Sequence, residues 1–328
     1  MNIFVNIPEG FRNNSFITGK VREKLSELGS VKYNSGDSPL QGEDLSEQLQ
    51  DRDVLITGWG QPLIKKEYLG KVKVIAHTGG TIGGIVDLGV FDTDTVVLSG
   101  NQYYAQSVAE GVIAYMLYAL RNLSCHEKEL RTGQWNWDPQ TEGLLDKKVG
   151  LISLGAISTK LIPMLRCFTN NISVYSTHPN ETVAKSLGFT YASMEEIFQT
   201  CDIVSVHTAK NDETYHMIQK KHFELMKKGA LFVNTSRGAV VDEEAMIEAL
   251  GDGKIRALLD VYETEPLPMN SPLRELENVI LFPHIAGPTY DRRERITLAL
   301  IDDVVRCMEG REMQNVVTKE TARKMTIS

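Results

Sequence analysis

Three residues in the C-terminal half have the types and settings to do chemistry together: Arg237, Glu265 and His284. Arg237 closes the run Leu231-Phe232-Val233-Asn234-Thr235-Ser236 and is followed by Gly238. Glu265 comes just after Leu258-Leu259-Asp260-Val261-Tyr262, and His284 directly after Val279-Ile280-Leu281-Phe282-Pro283. Short apolar runs of this kind predict parallel strands buried on both faces. Their C-terminal ends form the edge where open α/β sheets bind ligands. A cation, a carboxylate and an imidazole delivered to one edge can hold a substrate carboxylate, orient a histidine and move a proton. That combination points to a reaction centre for a small 2-oxo or 2-hydroxy acid. Taken singly, each residue has an ordinary structural use: an arginine after a strand caps or covers a surface, a histidine after proline packs in a loop, and Glu263-Thr264-Glu265-Pro266 is a solvated turn. Three strand ends that each supply one required group favour the chemical reading.

The elements that must position this trio follow from the hydrophobic pattern. In the first hundred residues, helical spacing from Val21 to Leu28 alternates with buried strands near 54–56, 72–76 and 96–98. A long helix is expected over about 107–121. A second series follows, with strands at 149–154, 172–175, 203–207, 231–234, 257–260 and 279–282. A last helix at about 292–308 carries Ile296, Ala299, Leu300 and Val304 on one face. Strands separated by helices imply βαβ units and parallel sheets, and 328 residues are enough for two domains with separate cores.

Composition narrows the function classes. A formal net charge of −8 argues against a nucleic-acid partner. No apolar stretch approaches the roughly 18 residues of a membrane helix, so no membrane association is expected. The N-terminal Met1-Asn2-Ile3-Phe4-Val5 reads as a strand, without a basic leader region or cleavage site. Cys125, Cys167, Cys201 and Cys307 are far apart and lack metal-ligand spacing. They read as reduced thiols of a cytoplasmic protein, and no metal is expected.

Four segments make the pattern specific: Cys201-Asp202-Ile203-Val204-Ser205-Val206-His207, Asn234-Thr235-Ser236-Arg237-Gly238, Leu259-Asp260-Val261-Tyr262 through Glu265-Pro266, and Phe282-Pro283-His284-Ile285-Ala286-Gly287. In order and spacing they resemble the D-isomer-specific 2-hydroxyacid dehydrogenase family, from about residue 50 to the C-terminus. The resemblance implies an α/β chain of two Rossmann-like or flavodoxin-like parallel-sheet domains with a cleft between them. A discontinuous substrate domain (residues 1–102 and 289–328) would surround a dinucleotide-binding domain (residues 103–288). It further implies hydride transfer between NAD or NADP and a 2-oxo or D-2-hydroxy acid. Arg237 would bind the substrate carboxylate, His284 would donate or accept the proton, and Glu265 would orient the ring and stabilise its imidazolium. The backbone at Thr78, Gly79 and Gly80 would also bind substrate, and relatives pair as homodimers through the long helix and the 120–137 segment.

The dinucleotide signature departs from the family's. Where G-x-G-x-x-G belongs, the chain has Ser153-Leu154-Gly155-Ala156-Ile157-Ser158, so only the glycine that lets backbone approach the pyrophosphate survives. Gly155, Ala156 and Ile157 are the expected pyrophosphate turn. Ser176 stands where an acidic residue grips the adenosine ribose, which leaves NAD and NADP both open. Thr208, Thr235 and Asp260 carry over as cofactor contacts, Asp260 to the carboxamide. The three serines favour a second reading, a catalytically retired dinucleotide- or partner-binding protein on the same scaffold; the intact Arg–Glu–His set opposes it. Glyoxylate, hydroxypyruvate, pyruvate and branched 2-oxo acids all remain open as substrates.

Overall fold

The structure is a computed structural model and describes residues 1–10, 15–137 and 139–326. The chain divides into two compact units, Met1–Tyr104 with Pro288–Ser328, and Ala105–Gly287.

The first unit contains β1 (Asn2–Val5), β2 (Ser30–Tyr33), β3 (Val54–Thr57), β4 (Val74–His77) and β5 (Val96–Ser99), in the sheet order β2-β1-β3-β4-β5. All neighbours are parallel. Alternate residues of each strand serve opposite faces, as the pleat requires. Ile3, Val5, Ile56 and Ala76 pack against helices Gly19–Leu28 and Tyr290–Met308. Phe4, Leu55, Ile75 and Val97 pack with Leu45 and Leu49 of helix Gly42–Leu49 and with Ala322 of helix Lys319–Lys324. A sheet covered on both faces needs apolar residues at every strand position, which is why the runs read as continuous rather than alternating.

The second unit contains β6 (Val149–Ile152), β7 (Ile172–Tyr175), β8 (Thr190–Tyr191), β9 (Ile203–Val206), β10 (Leu231–Asn234), β11 (Arg256–Leu259) and β12 (Val279–Leu281). Their order is β12-β11-β10-β9-β6-β7-β8, again all parallel. Order reverses between β6 and β9, the switch point at which doubly wound sheets bind ligands. Leu151, Val233 and Leu258 face one core with Val112, Met116 and Leu161. Val206, Phe232 and Leu259 face the other with Phe198, Phe223 and Leu250.

Local expectations change at the long helix and at β2 and β8, strands without a buried apolar run. The long helix spans Asn101–Leu120 and so begins before residue 107. Its first turn, Asn101-Gln102-Tyr103-Tyr104, has no apolar period to announce it; the Asn101 N–H instead donates to the Ser99 hydroxyl (3.3 Å). The two-residue strand β8 is too short to leave a hydrophobic pattern. No described helix is long and apolar enough to cross a membrane.

Candidate active site

Arg237, Glu265 and His284 all follow strand ends of the second unit: β10, β11 and β12. The loop after β10 is organised by Asn234. Its side-chain oxygen accepts from the Ser236 N–H (3.0 Å) and hydroxyl (2.9 Å), and its amide donates to the Arg237 carbonyl (3.2 Å). This fixes the backbone from which the Arg237 side chain departs. The Arg237 guanidinium is part-buried and donates to the Ser236 carbonyl (2.6 Å). Burial pushes its pKa down while the charge of Glu265 acts in the opposite sense.

Glu265 and His284 meet directly, His284 Nδ1 lying 2.7 Å from Glu265 Oε2. An ionised carboxylate can only accept, so Nδ1 carries the hydrogen and Nε2 is left for another partner. The other Glu265 oxygen accepts the Tyr262 N–H at 3.1 Å. Burial raises the Glu265 pKa, but the His284 and Tyr262 hydrogen bonds and the His284 and Arg237 charges outweigh it and hold the carboxyl below its usual range. The result is an ionised carboxylate, an oriented imidazole and a guanidinium at one sheet edge. Such a set can bind a carboxylate and exchange a proton with a carbonyl or hydroxyl oxygen.

At the switch point, the turn after β6 takes an unusual form. Ser153 adopts φ +85°, a left-handed conformation that disfavours any side chain with a Cβ. Ser158, fully buried in the first turns of helix Ala156–Leu165, donates its hydroxyl to the Ser153 carbonyl (2.6 Å) and pins the turn. Gly155 caps that helix without a side-chain hydrogen bond, and a Cβ there would meet nothing within 4 Å. Open space at a helix N-terminus fits a pyrophosphate. Ala156 and Ile157 open the helix and are half-buried. Next to this turn, Thr208 donates to the Ile152 carbonyl (3.3 Å). Two buried polar atoms at neighbouring strand ends, His207 Nδ1 and Thr235 Oγ1, have no hydrogen-bond partner among the described residues. A lost partner costs about 1–3 kcal/mol, a cost most readily explained where a ligand supplies the missing bond. Burial pushes the His207 pKa down to about 3, so its ring is neutral. Ser176 directly follows β7, its hydroxyl accepting from the His178 N–H (3.2 Å). The adjoining Thr177 pairs with His178 (2.9 Å), and neither residue is acidic. The second unit therefore fits a dinucleotide.

Asp260 lies deeper than a simple contact residue. It is 1% exposed and already accepts three hydrogen bonds, from Tyr115, Ile285 and Ala286. Asn234 opens one of the segments that mark the trio, though its role in shaping the loop shows only in the fold. Tyr115 lies outside those segments and carries no local signal.

In the first unit, Thr78 N–H and hydroxyl both donate to the Thr57 carbonyl (2.9 and 3.1 Å), tying the start of the glycine loop to β3. A Cβ on Gly79 would lie 2.3 Å from His77 Nε2, and one on Gly80 would lie 2.8 Å from the Tyr104 ring. Only glycine fits at either position.

Residues 113–286 match the family model described as D-isomer specific 2-hydroxyacid dehydrogenase, NAD binding domain. The chain is 32% identical over 299 residues to D-3-phosphoglycerate dehydrogenase of Methanocaldococcus jannaschii, covering 89% of this chain and 56% of that one. It therefore spans about half the length of that relative. It is 28% identical to glyoxylate reductase of Korarchaeum cryptofilum, with 94% of this chain and 96% of the relative covered. Among solved structures, TT0316 protein from Thermus thermophilus superposes with a TM-score of 0.77 at 26% identity, over 97% of this chain and all of that one.

Proposed function

The chain belongs to the D-isomer-specific 2-hydroxyacid dehydrogenase family, and from that premise we propose that it reduces a small 2-oxo acid to the D-2-hydroxy acid with NADH or NADPH. The 2.7 Å pairing of His284 with Glu265, beside Arg237, is the observation that carries the reading. Arg237 binds the substrate carboxylate, a planar two-point contact for which lysine is a poor substitute. Protonated His284 donates through Nε2 to the oxygen of the ketone as it becomes an alkoxide, and in the reverse direction neutral His284 takes that proton. Glu265 accepts from Nδ1 and holds the ring in one orientation, leaving Nε2 to face the substrate. Gly155, Ala156, Ile157, Ser176, Thr208, Thr235 and Asp260 are the residues proposed to hold the dinucleotide, which when bound supplies or accepts the hydride. In the first unit, the backbone of Thr78, Gly79 and Gly80 is the proposed substrate contact.

Relatives named glyoxylate reductase and glyoxylate/hydroxypyruvate reductase suggest glyoxylate and hydroxypyruvate as the first acids to try. The deciding experiment follows NADH and NADPH oxidation with each acid for the wild type and for His284→Ala. Turnover should fall about 10³-fold in the variant, within the range of lost acid–base catalysis, while cofactor affinity by fluorescence titration stays unchanged. A wild type that binds cofactor yet turns over no 2-oxo acid would refute the reading.

We further infer a homodimer. Leu123 (49% exposed), Leu130 (59%), Trp135 (66%) and Trp137 (87%) place apolar surface on helix Leu123–Arg131 and the segment after it. Sedimentation of a monomer alone would refute this. A cytoplasmic location is the matching proposal for a protein whose four cysteines are free thiols.

A further inference from the structure

His284 sits at φ +54°, in the left-handed region. For a non-glycine residue that conformation is strained and persists only where the surroundings enforce it. The enforcing group is Asp260. Its Oδ1 accepts the Ile285 N–H and its Oδ2 the Ala286 N–H, both at 2.8 Å, so one buried carboxylate clamps the two residues after His284. A third donor reaches Asp260 from far away in sequence. Tyr115, on the inner face of helix Asn101–Leu120, donates its hydroxyl to Oδ1 at 3.0 Å.

The same helix touches the histidine turn at two further points. The Tyr115 ring stacks on Phe282, two residues before His284, with centroids 4.5 Å apart and planes within 4°. One helical turn before Tyr115, Gly111 lies so close to the turn that a Cβ would stand 3.2 Å from the Ala286 carbonyl. Burial, reinforced by the neighbouring Asp260 charge, pushes the phenol well above its ordinary pKa. It is therefore a donor at any working pH. Phenylalanine would fill the same space and keep the stacking, so what tyrosine adds is the bond to Asp260.

We propose that Tyr115 is a positioning residue for proton transfer: its hydroxyl fixes the Asp260 carboxylate, which holds the backbone after His284 and so sets where Nε2 faces. This rests on His284 as the proton donor. A carboxylate that loses one of three donors can rotate, and the clamp on Ile285 and Ala286 then loosens. A misplacement approaching 1 Å at a reacting group costs about 100-fold in rate.

The test is Tyr115→Phe, with Tyr115→Leu as the variant that also loses the stacking. Thermal unfolding, NAD(P)H affinity, kcat and KM for the best 2-oxo acid are measured. Amide hydrogen exchange at Ile285 and Ala286 is followed in the cofactor-free protein. In Tyr115→Phe, kcat should fall about 10- to 100-fold with KM for the 2-oxo acid within about threefold, and those two amides should exchange faster while the core strands keep their protection. Unchanged kcat and exchange would overturn the proposal. So would a kcat loss matched by the loss of folded protein, with protection falling everywhere, since Tyr115 would then be a packing residue. If the wild type shows no turnover at all, the proposed reaction fails instead, and the two amides still decide whether the clamp depends on Tyr115.

Discussion

Gly238→Ala should damage this protein more than the addition of one methyl group suggests. A Cβ at position 238 would lie 1.8 Å from the Tyr262 carbonyl carbon, 2.1 Å from its oxygen and 2.2 Å from the Glu263 nitrogen. Carbon atoms in contact sit about 3.5–4.0 Å apart, so the two backbones must separate by roughly 1.5 Å or more. One of them carries Arg237. The other leads from Tyr262, whose N–H holds Glu265, to Glu265 itself and through it to His284. The substitution therefore forces the guanidinium away from the Glu265–His284 pair. Overpacking of this kind costs about 1–3 kcal/mol. For a unit of this size each kcal/mol lowers Tm by about 2–4 °C, so a drop of about 2–12 °C is expected. A shift of about 1 Å or more at the guanidinium proposed to hold the substrate should lower kcat/KM about 100-fold. Gly251→Ala is the control: it lies at the end of helix Glu243–Gly251 with nothing within 4 Å of the added carbon. Differential scanning calorimetry, NAD(P)H titration and kcat/KM on all three proteins decide the matter. Gly238→Ala with the wild-type Tm and kcat/KM would show that the close approach does not set the position of Arg237.

Two other perturbations test different parts of the molecule. Ser158→Ala removes the bond that restrains the left-handed Ser153; it should cost about 1 kcal/mol and weaken NAD(P)H binding severalfold, and unchanged affinity by fluorescence titration would mean the turn holds without it. Acid should destabilise both units through buried neutral histidines: burial lowers His77 to about 4 and His207 to about 3 from 6.5. Because the folded values lie below the unfolded one, the stability they contribute is complete above pH 6.5. It is lost as pH falls from there toward the folded values, by on the order of 3 kcal/mol for His77. Urea unfolding at pH 7.5, 6 and 5 should trace this loss, and the profile should flatten in His77→Gln; equal stability at all three values would refute it.

Much of this protein could be read along the chain because the relevant signals are local. A strand covered on both faces is apolar at every position, so β3, β6, β9, β10 and β11 stand out as runs, and their alternation with helices implies parallel sheets. Arg237 and His284 were legible for the same reason: each interrupts such a run at the end where open sheets bind ligands. Helix Asn101–Leu120 was harder to bound, since its first turn has no apolar period and follows the Ser99 hydroxyl that accepts from Asn101.

The serines at 153 and 158 looked like damage to a glycine motif when read as a pattern. Folded, the second restrains the first through a 2.6 Å bond, because the helix returns one side chain to the carbonyl that precedes it. Residue types and their order along the chain specified which strands form and which groups reach their ends. Packing decided the rest: that His284 meets Glu265 at 2.7 Å, that Gly238 lies against Tyr262, and that Tyr115 reaches Asp260 across 145 residues of sequence. Burial is written in the side chain itself, but a contact between distant segments depends on how helix and sheet settle against each other, and no local pattern records that.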